Sequence, residues 1–411
     1  MVRRSLRGAL ATQALARASA VDVIAVGKAA AEMLDAFRSE RPGLARRSVG
    51  IVPYGGRPPE PGLEWHVGRH PVPDDGSEAA GTAALRVAEA AGEDDLVILL
   101  LSGGASSLMA LPANGISSGD KRASLDRLLG AGTDIESLNS VRKHISRLKG
   151  GRLAAACLGR FLTLAVSDVV GDDLSVIGSG PGVGDPSTFH EAAEVLSRHG
   201  GLHSYPRAVV DHVMRGVAGG VAESPKPGDP RLGRAVAAVI GSRADAVAAA
   251  KRAATALGYV VYVLEEPVIG EARVAAKQYA DRVARLVGHD PAPLCVLSAG
   301  ETTVRVVGDG RGGRNQEFAL ALARTIGAVD RPTALVSVGT DGVDGPTDAA
   351  GGYVDTTTWS RARNQGLGDP ERFLADNNSY EFFLRLGDLV KTGPTATNVG
   401  DVQILLTARK S

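Results

Sequence analysis

Residues 308–318, Gly-Asp-Gly-Arg-Gly-Gly-Arg-Asn-Gln-Glu-Phe, combine four glycines with two arginines. The alternating segment 301–307 before them predicts a strand, and the apolar run that follows predicts a helix. Glycine lets a backbone come close to a ligand, a helix N-terminus carries partial positive charge, and Arg314 can fork onto a phosphate or a carboxylate. The stretch therefore predicts an anion-binding turn, although a tight turn with solvated arginines has the same pattern.

Two earlier strand ends carry groups of similar character. Lys28 follows the apolar strand 21–26 and heads a helix, where its charge is unfavourable unless an anion is bound. The very apolar strand 96–101 ends in Ser102-Gly-Gly-Ala-Ser-Ser107, whose hydroxyls and backbone N–H groups suit a phosphate or an oxygen-rich substrate. A solvated lysine and a capped turn are the structural alternatives.

Two sets of aspartates could supply the chemistry that anion binding alone does not. They follow the predicted strands 161–166 and 333–338. The members are Asp168, Asp172 and Asp173 in the first set and Asp341, Asp344 and Asp348 in the second. Magnesium is held by one or two carboxylates plus substrate phosphates, and a carboxylate can also take a proton from a hydroxyl. A local turn-forming role explains any one of these aspartates equally well.

A run of cations, Val141-Arg-Lys-His144 with Lys149-Gly-Gly-Arg152 close behind, predicts either a solvated helix face or a wall that closes on phosphates. The long segment 169–186 lacks periodicity and contains Gly178-Ser-Gly-Pro181, and loops of this length are more often functional than idle. Together, these groups predict phosphoryl transfer, which needs positioning and charge neutralisation more than a covalent nucleophile. The sequence contains no Walker A, G-x-S-x-G or protein-kinase motif.

Strands and helices alternate along the chain and predict an α/β fold in two domains, with a parallel sheet in the N-terminal one. Residues 223–230, rich in Pro, Gly, Ser and charge, predict a linker, so that the domains are 1–228 and 229–411. Ligands collect at the carboxyl ends of strands in open α/β sheets, and two such edges facing each other would form an interdomain cleft. Residues 53–73 are predicted to be a loop, and a short helical arm is predicted before residue 21.

Composition excludes several classes of protein. The chain has 411 residues, of which 44% are hydrophobic and 22% charged, as in globular proteins. Lys plus Arg and Asp plus Glu both total 46, so that no net charge attracts nucleic acid or an anionic membrane. Cys157 and Cys295 form no CxxC pattern, which argues against a disulfide framework or a zinc site. Without an apolar span or signal-peptide pattern, we expect a cytoplasmic protein, either a monomer or a homodimer.

A series of motifs runs in order from near residue 21 to the end of the chain. They are Gly27-Lys-Ala-Ala30, His70-Pro-Val-Pro73, Ser102-Gly-Gly-Ala-Ser-Ser107, Asn139-Ser-Val-Arg-Lys-His144, Lys149-Gly-Gly-Arg152, Ser167-Asp-Val-Val-Gly-Asp-Asp173, Gly178-Ser-Gly-Pro181, Gly312-Gly-Arg-Asn-Gln-Glu317, Gly339-Thr-Asp-Gly-Val-Asp-Gly345 and Thr392-Gly-Pro-Thr-Ala-Thr-Asn398. With them the chain resembles the glycerate 2-kinases, which pair a Rossmann-like N-terminal domain with a smaller α/β MOFRL C-terminal domain. Some members of that family have been labelled hydroxypyruvate reductases.

The resemblance implies ATP- and magnesium-dependent phosphorylation of D-glycerate on its 2-hydroxyl, giving 2-phosphoglycerate. It implies active-site roles for Lys28, Arg314 and Asp341, and we expect Asp168 to share the catalytic work. The candidate magnesium ligands are Asp341, Asp344 and Asp168. The expected substrate and nucleotide contacts come from the glycine- and serine-rich turns and the cationic run: Ser102, Gly103, Gly104, Ser106, Lys143, Gly178, Ser179, Gly312, Gly313 and Asn315.

Two other functions fit parts of the sequence. An NAD(P)H-dependent hydroxypyruvate reductase would use residues 308–313 as a G-x-G-x-x-G fingerprint, with Asp330 near the distance expected of a ribose-binding acid. The neighbouring arginines and the lack of an evident His–carboxylate pair argue against it. A non-catalytic sugar-phosphate-binding protein would use the same turns but would not need two sets of aspartates.

Overall fold

The structure, a computed structural model, describes residues 7, 18–56, 63–70, 72–287, 291–395 and 397–409. Apart from Arg7, the predicted N-terminal arm up to residue 17 lies outside the described residues, as do Pro71 and Ala396 of two of the motifs. The chain divides into two compact units, Met1–Gly241 and Ser242–Ser411.

The first unit alternates strands and helices. Its strands are β1 Val21–Val26, β2 Ala45–Pro53, β3 Glu64–Gly68, β4 Leu96–Leu101, β5 Arg160–Val166 and β6 Ala235–Gly241. Its helices are α1 Ala30–Glu40, α2 Asp75–Glu89, α3 Ala105–Leu108, α4 Ser118–Gly130, α5 Ile135–His144, α6 Arg152–Ala155, α7 Phe189–Arg198 and α8 Arg207–Val217.

The six strands form one parallel sheet in the order β3-β2-β1-β4-β5-β6. Every residue of β1 and β4 is buried, as expected of central strands covered by helices on both faces. The order reverses between β1 and β4, which brings their carboxyl ends side by side. In sheets of this kind that position is the usual ligand site, so the predicted Rossmann-like fold is confirmed and its switch point lies at Gly27 and Ser102.

The second unit contains a mixed sheet. Its strands are β7 Val260–Val263, β8 Val268–Glu271, β9 Leu294–Thr303, β10 Thr333–Gly339, β11 Gly351–Asp355, β12 Leu389–Val390 and β13 Asp401–Thr407. Its helices are α9 Arg243–Ala256, α10 Ala272–Val287, α11 Arg314–Ala321, α12 Ala323–Gly327, α13 Thr358–Asn364, α14 Pro370–Ala375 and α15 Ser379–Leu386. The sheet order is β12-β11-β10-β13-β9-β7, with β8 also paired to β9.

The predicted α/β fold of this unit is confirmed, and its sheet is mixed because β13 runs antiparallel between β9 and β10. One consequence matters for the site. β9 and β10 end at the same edge of the sheet, and β13 begins there, with Asp401 paired to both Gly300 and Gly339. Residues before β13 therefore reach the same edge as residues after β9 and β10.

Three sequence predictions differ from the structure. The predicted loop 53–73 contains the edge strand β3. The predicted strand 301–307 is wrong beyond Thr303, where β9 ends because no strand pairs with it further on. Strand β6 was expected in the second domain, but it pairs with β5 and belongs to the first unit, so that the unit boundary lies after Gly241.

Each unit has its own apolar core, one around β1 and β4 and the other around Phe318, Phe382 and Phe383. Across the described part of the chain, no helix combines the length and the apolar character needed to span a bilayer.

Candidate functional site

The turn after β1 and the turn after β4 are joined by hydrogen bonds. Ser102 Oγ accepts from the backbone N–H of Ala29 at 3.1 Å and donates to Val26 O at 3.2 Å. The backbone N–H of Lys28 donates to Gly103 O at 2.9 Å. Ser102, predicted as a ligand contact, thus holds the two strand ends together, while the side chain of Lys28 is exposed at this edge.

Asp168 and Gly103 lie against each other at the neighbouring ends of β5 and β4. A methyl group on Gly103 would lie 3.0 Å from Cγ of Asp168, so that a side chain there would displace this carboxylate. Asp168 is half-buried. The structure thus brings Asp168 to the turn that also contains Ser102 and Gly103, as the sequence predicted for a common sheet edge.

The loop between β5 and α7 reaches the same turn through Ser179. Its Oγ lies 3.0 Å from Ser106 Oγ and donates to Asn139 Oδ1 at 3.0 Å. Ser179 and the preceding Gly178 both have positive φ, 63° and 60°. For a serine this conformation is unfavourable, and strain of this kind concentrates at functional sites.

Lys149 completes this cluster. Its Nζ donates to the backbone O of Ser106 at 2.7 Å and to Ser106 Oγ at 3.0 Å. Burial, followed by the charges of Lys121 and Arg142, lowers the pKa of Lys149 well below its ordinary value. The sequence places Lys149 in a cationic run but does not identify it as a site residue. Only the fold shows that its amine lies against the turn at Ser106.

Lys143, which the sequence selected instead, faces a buried acid. Its Nζ donates to Asp185 Oδ1 at 3.1 Å, and both side chains are buried. Asp185 also accepts from the hydroxyls of Ser187 and Ser224 at 2.7 and 2.8 Å. In this structure the charge of Lys143 is therefore matched within the protein, and its role in ligand binding stays a prediction.

In the second unit, Arg314 lies at the start of α11 and contacts two acids. Its Nη2 donates to Asp401 Oδ1 at 3.0 Å, and Nη1 donates to Glu301 at 3.0 Å. Nε lies 2.7 Å from Asp401 Oδ2 in the same ion pair. Asp401 is fully buried, whereas the side chain of Glu301 is 40% exposed. Asp401 therefore fixes the orientation of the guanidinium group, and Glu301 is the more exposed of its two partners.

The N-terminus of α11 already holds a carboxylate, that of Asp344. Asp344 accepts from the backbone N–H groups of Asn315 at 3.0 Å and Gln316 at 2.9 Å. Asn315 also donates its side-chain amide to Asp401 at 2.9 Å and accepts from Ser337 Oγ at 2.7 Å. The anion predicted for this helix start is thus part of the protein, and both Asp344 and Asn315 are buried parts of that network.

The glycines of residues 308–313 pack against this chain's own atoms. A Cβ on Gly308 or Gly310 would come within 3 Å of the backbone of Asp376, and one on Gly313 would lie 2.5 Å from Asp344 Oδ1. A Cβ on Gly312 would collide with Ser379. The close approach that these glycines allow is therefore to the loop before α15 and to Asp344.

Asp341, at the end of β10, is half-buried, and its Oδ1 accepts from the backbone N–H of Val343 at 3.2 Å. This is the local turn role that the sequence left open. Within the described ranges, no group of three or more His, Cys, Asp and Glu side chains has the arrangement of a metal site. The magnesium roles predicted for Asp341, Asp344 and Asp168 stay predictions.

Asp344 gives the folded protein a pH dependence opposite in sign to that of most carboxylates. Burial raises the pKa of Asp344 from 3.8 to about 6. Between these values the folded state binds a proton that the unfolded state releases, so this contribution to stability grows as the pH falls from about 7 to about 4. We expect Asp344→Asn to remove it, so that wild type gains melting temperature relative to the variant on acidification.

The measurement is thermal unfolding of both proteins at several pH values. Asp348→Asn is the control, because Lys391 and Tyr380 lower the pKa of the exposed Asp348. The contribution of Asp348 to the stability of the folded state therefore falls, rather than grows, as the pH is lowered. Parallel pH profiles for wild type and Asp344→Asn would show that the Asp344 carboxylate is ionised throughout and that this account of its pKa is wrong.

A Rossmann-like unit followed by a mixed-sheet unit, each with charged side chains at one sheet edge, defines a two-unit α/β protein. Residues 1–214 match a family model described as a domain of unknown function (DUF4147), and residues 294–401 match the MOFRL family. The chain is 39% identical to a glycerate 2-kinase from Pyrococcus horikoshii, over 95% of this chain and 88% of the relative.

Two further comparisons agree. The chain is 37% identical to a D-glycerate 2-kinase from Thermotoga maritima, over 93% of this chain and 90% of the relative. It superposes on a crystal structure of glycerate kinase from Thermotoga maritima with a TM-score of 0.86 and 34% identity, over 99% of this chain and 95% of that one. The chain belongs to the glycerate 2-kinase family with a MOFRL C-terminal domain.

Proposed function

We propose that this protein is a cytoplasmic glycerate 2-kinase, which transfers the terminal phosphoryl group of ATP to the 2-hydroxyl of D-glycerate. The observation that carries the proposal is the 39% identity to a glycerate 2-kinase across 95% of the chain. The side chains at the two sheet edges support it. Cations and aspartates with hydrogen-bonding serines suit a reaction that depends on positioning and charge neutralisation.

Lys28 and Arg314, each in its own unit, are candidates to supply positive charge to a phosphoryl group. Arg314 is held at two of its nitrogens by Asp401, so that little reorganisation is needed when an anion replaces Glu301. Of the aspartates, Asp168 is the candidate to accept the proton of the substrate hydroxyl, because its carboxylate lies against Gly103 in the turn of Ser102 and Ser106. Ser106, Gly178 and Ser179 line the same turn and contribute hydroxyl and backbone contacts.

Taken singly, Asp168 and Asp341 each have donor chemistry that fits a magnesium–nucleotide complex. Both are half-buried carboxylates at strand ends, and magnesium takes one or two carboxylates in addition to phosphate oxygens. Bound magnesium would neutralise charge on the nucleotide phosphates. Asp344 fits less well, because both of its oxygens accept backbone N–H groups at the start of α11.

The reductase alternative loses the observation that favoured it. Residues 308–313 do not follow a strand directly, since β9 ends at Thr303. Gly308 and Gly310 lie against Asp376 and Asn378, where a dinucleotide pyrophosphate would have to approach. Asp344 further occupies the helix N-terminus that would bind that pyrophosphate.

Two assays on the purified protein distinguish these functions. One follows ADP release with ATP, magnesium and D-glycerate, and the other follows NADH or NADPH consumption with hydroxypyruvate. We expect ADP release that depends on D-glycerate and no consumption of reduced nicotinamide. Consumption without ADP release would establish the reductase, and binding of glycerate phosphates without either turnover would establish the non-catalytic protein.

A further inference from the structure

Lys121 in α4 is a buried cation without a hydrogen-bond acceptor. It is only 3% exposed, and its Nζ contacts no acceptor among the residues that the structure describes. Burial, together with the charge of Arg142, lowers the pKa of Lys121 to about 7. Glu78 favours the charged form, but its carboxylate already accepts from Ser118 Oγ. A buried amine without a partner is unfavourable for folding, and its presence therefore indicates that a ligand supplies the missing partner.

Two more cations point into the same region from other elements. Arg142 comes from α5, and Lys149 comes from the segment between α5 and α6. Lys149 donates to two oxygens of Ser106, which are both uncharged, so these hydrogen bonds satisfy the amine without neutralising it. Arg142 and Lys121 both lower the pKa of Lys149, which shows that the three side chains lie within electrostatic reach of one another.

These three cations and the exposed Arg122 line a cavity of about 260 Å³, here called the cationic cavity. His70, Gly104 and Ser106 form another part of its wall, and Leu125 and Leu129 supply apolar surface. Burial, followed by Lys28 and Arg142, lowers the pKa of His70, so that this ring is a neutral hydrogen-bonding group beside the cations. Asp126 is the acidic residue of the lining, and it is exposed.

The cavity has the size of a small hydroxy acid. Its volume equals that of about nine molecules of liquid water, at about 30 Å³ each. A three-carbon hydroxy acid fits this space. The mixture of convergent cations, the hydroxyls of Ser106 and Ser107 and an apolar wall is that of a site for a short carbon chain with an anionic end.

We propose that the cationic cavity binds the hydroxy-acid substrate, with its carboxylate held by Lys121, Arg142 and Lys149. Arg142 presents a fork that matches the two carboxylate oxygens, and the lysines add point charges. Ser106 lies between Lys149 and Ser179, so that a carboxylate in the cavity leaves the rest of the molecule near the turn that also carries Asp168. The inference rests on the proposed function, because it assigns the acceptor end of that reaction.

Lys121→Met tests the inference, since methionine keeps most of the length of the side chain and removes the charge. We expect the ligand-free variant to melt at a higher temperature than wild type, because it no longer buries an unpaired amine. We also expect D-glycerate alone to raise the melting temperature of wild type but not of the variant. In steady-state kinetics, KM for D-glycerate should rise at least about tenfold while KM for ATP stays the same.

Lys251→Met is the matched control, because Lys251 is exposed on α9 and does not line the cationic cavity. It should keep both the D-glycerate shift and the wild-type KM. If Lys121→Met does not fold, Arg142→Met carries the same test, with the same loss of the D-glycerate shift expected.

Equal protection of wild type and Lys121→Met by D-glycerate would overturn the inference. Loss of protection by ATP alone, with protection by D-glycerate retained, would also overturn it and assign the cavity to nucleotide phosphates. The melting experiment needs no turnover and is therefore separate from the proposed function. Suppose that wild type releases no ADP, and that D-glycerate raises the melting temperature of wild type but not of Lys121→Met. This result would refute the kinase and keep the hydroxy-acid site.

Discussion

Arg314→Ala is expected to lower kcat/KM for phosphoryl transfer by roughly 10²–10³-fold, the usual effect of removing one preorganised donor from a site of charge development. The physical reason is the orientation of the guanidinium. Asp401 holds Nε and Nη2, and Glu301, the more exposed partner, holds Nη1. The loss should fall mainly on kcat, because the charge on the phosphoryl oxygens is redistributed during transfer.

The variant also leaves Asp401 buried without its cation, so that stability must be measured beside activity. Arg314→Lys separates the two effects, since it keeps a charge near Asp401 but cannot form the fork, and we expect it to fold and to remain strongly impaired. Arg324→Ala is the control, because Arg324 makes an exposed ion pair with Asp369. Wild-type turnover in a folded Arg314→Ala protein would remove Arg314 from the reaction.

Gly27→Ala is expected to destabilise the first unit by about 3 kcal/mol or more. Gly27 has φ of 123°, which residues with a side chain rarely adopt, and its added Cβ would lie 2.6 Å from the backbone O of Ser102. Ser102 cannot retreat without breaking its hydrogen bonds to Val26 and Ala29. The change therefore separates the ends of β1 and β4, and we expect activity to fall with stability in urea denaturation.

Gly43→Ala provides the comparison for the backbone conformation alone. Gly43 also has positive φ, 72°, but a Cβ there would meet no atom within 4 Å. We expect a loss of only about 1 to 2 kcal/mol, the cost of a left-handed conformation, with activity unchanged. Equal losses for the two variants would mean that the contact between Gly27 and Ser102 is not what limits this position.

The sequence predicts the central part of the first unit well, because local signals are strong there. The apolar runs of β1 and β4 lie between glycines and polar residues, and the structure gives both strands at the expected bounds. β3 is different. It is a short edge strand, paired on one side only and half exposed, so its sequence lacks the apolar pattern by which strands are recognised.

The turn at residues 308–313 could not be interpreted from local sequence. Its backbone is held by residues about 70 positions later, since the N–H groups of Val307 and Gly308 both donate to Asn377 Oδ1, at 2.7 and 3.0 Å. The glycines are required by this packing as much as they would be by a ligand. A pattern of residue types cannot distinguish the two causes.

Asp401 was missed for a related reason. Ligand-binding residues were sought after strands, as parallel sheets suggest, whereas Asp401 begins β13. The antiparallel placement of β13 brings it to the edge where β9 and β10 end. Lys121 was missed because a lysine in a polar helix is normally solvated, and only packing shows that this one is buried.

The identity of the phosphorylated product tests the central claim most directly. Wild type is incubated with ATP, magnesium and D-glycerate, and the product is examined by proton–phosphorus correlation NMR. We predict that phosphorus couples to the single methine proton of carbon 2, as in 2-phosphoglycerate. Coupling to the methylene protons of carbon 3, or no phosphorylated glycerate at all, would contradict the proposed function.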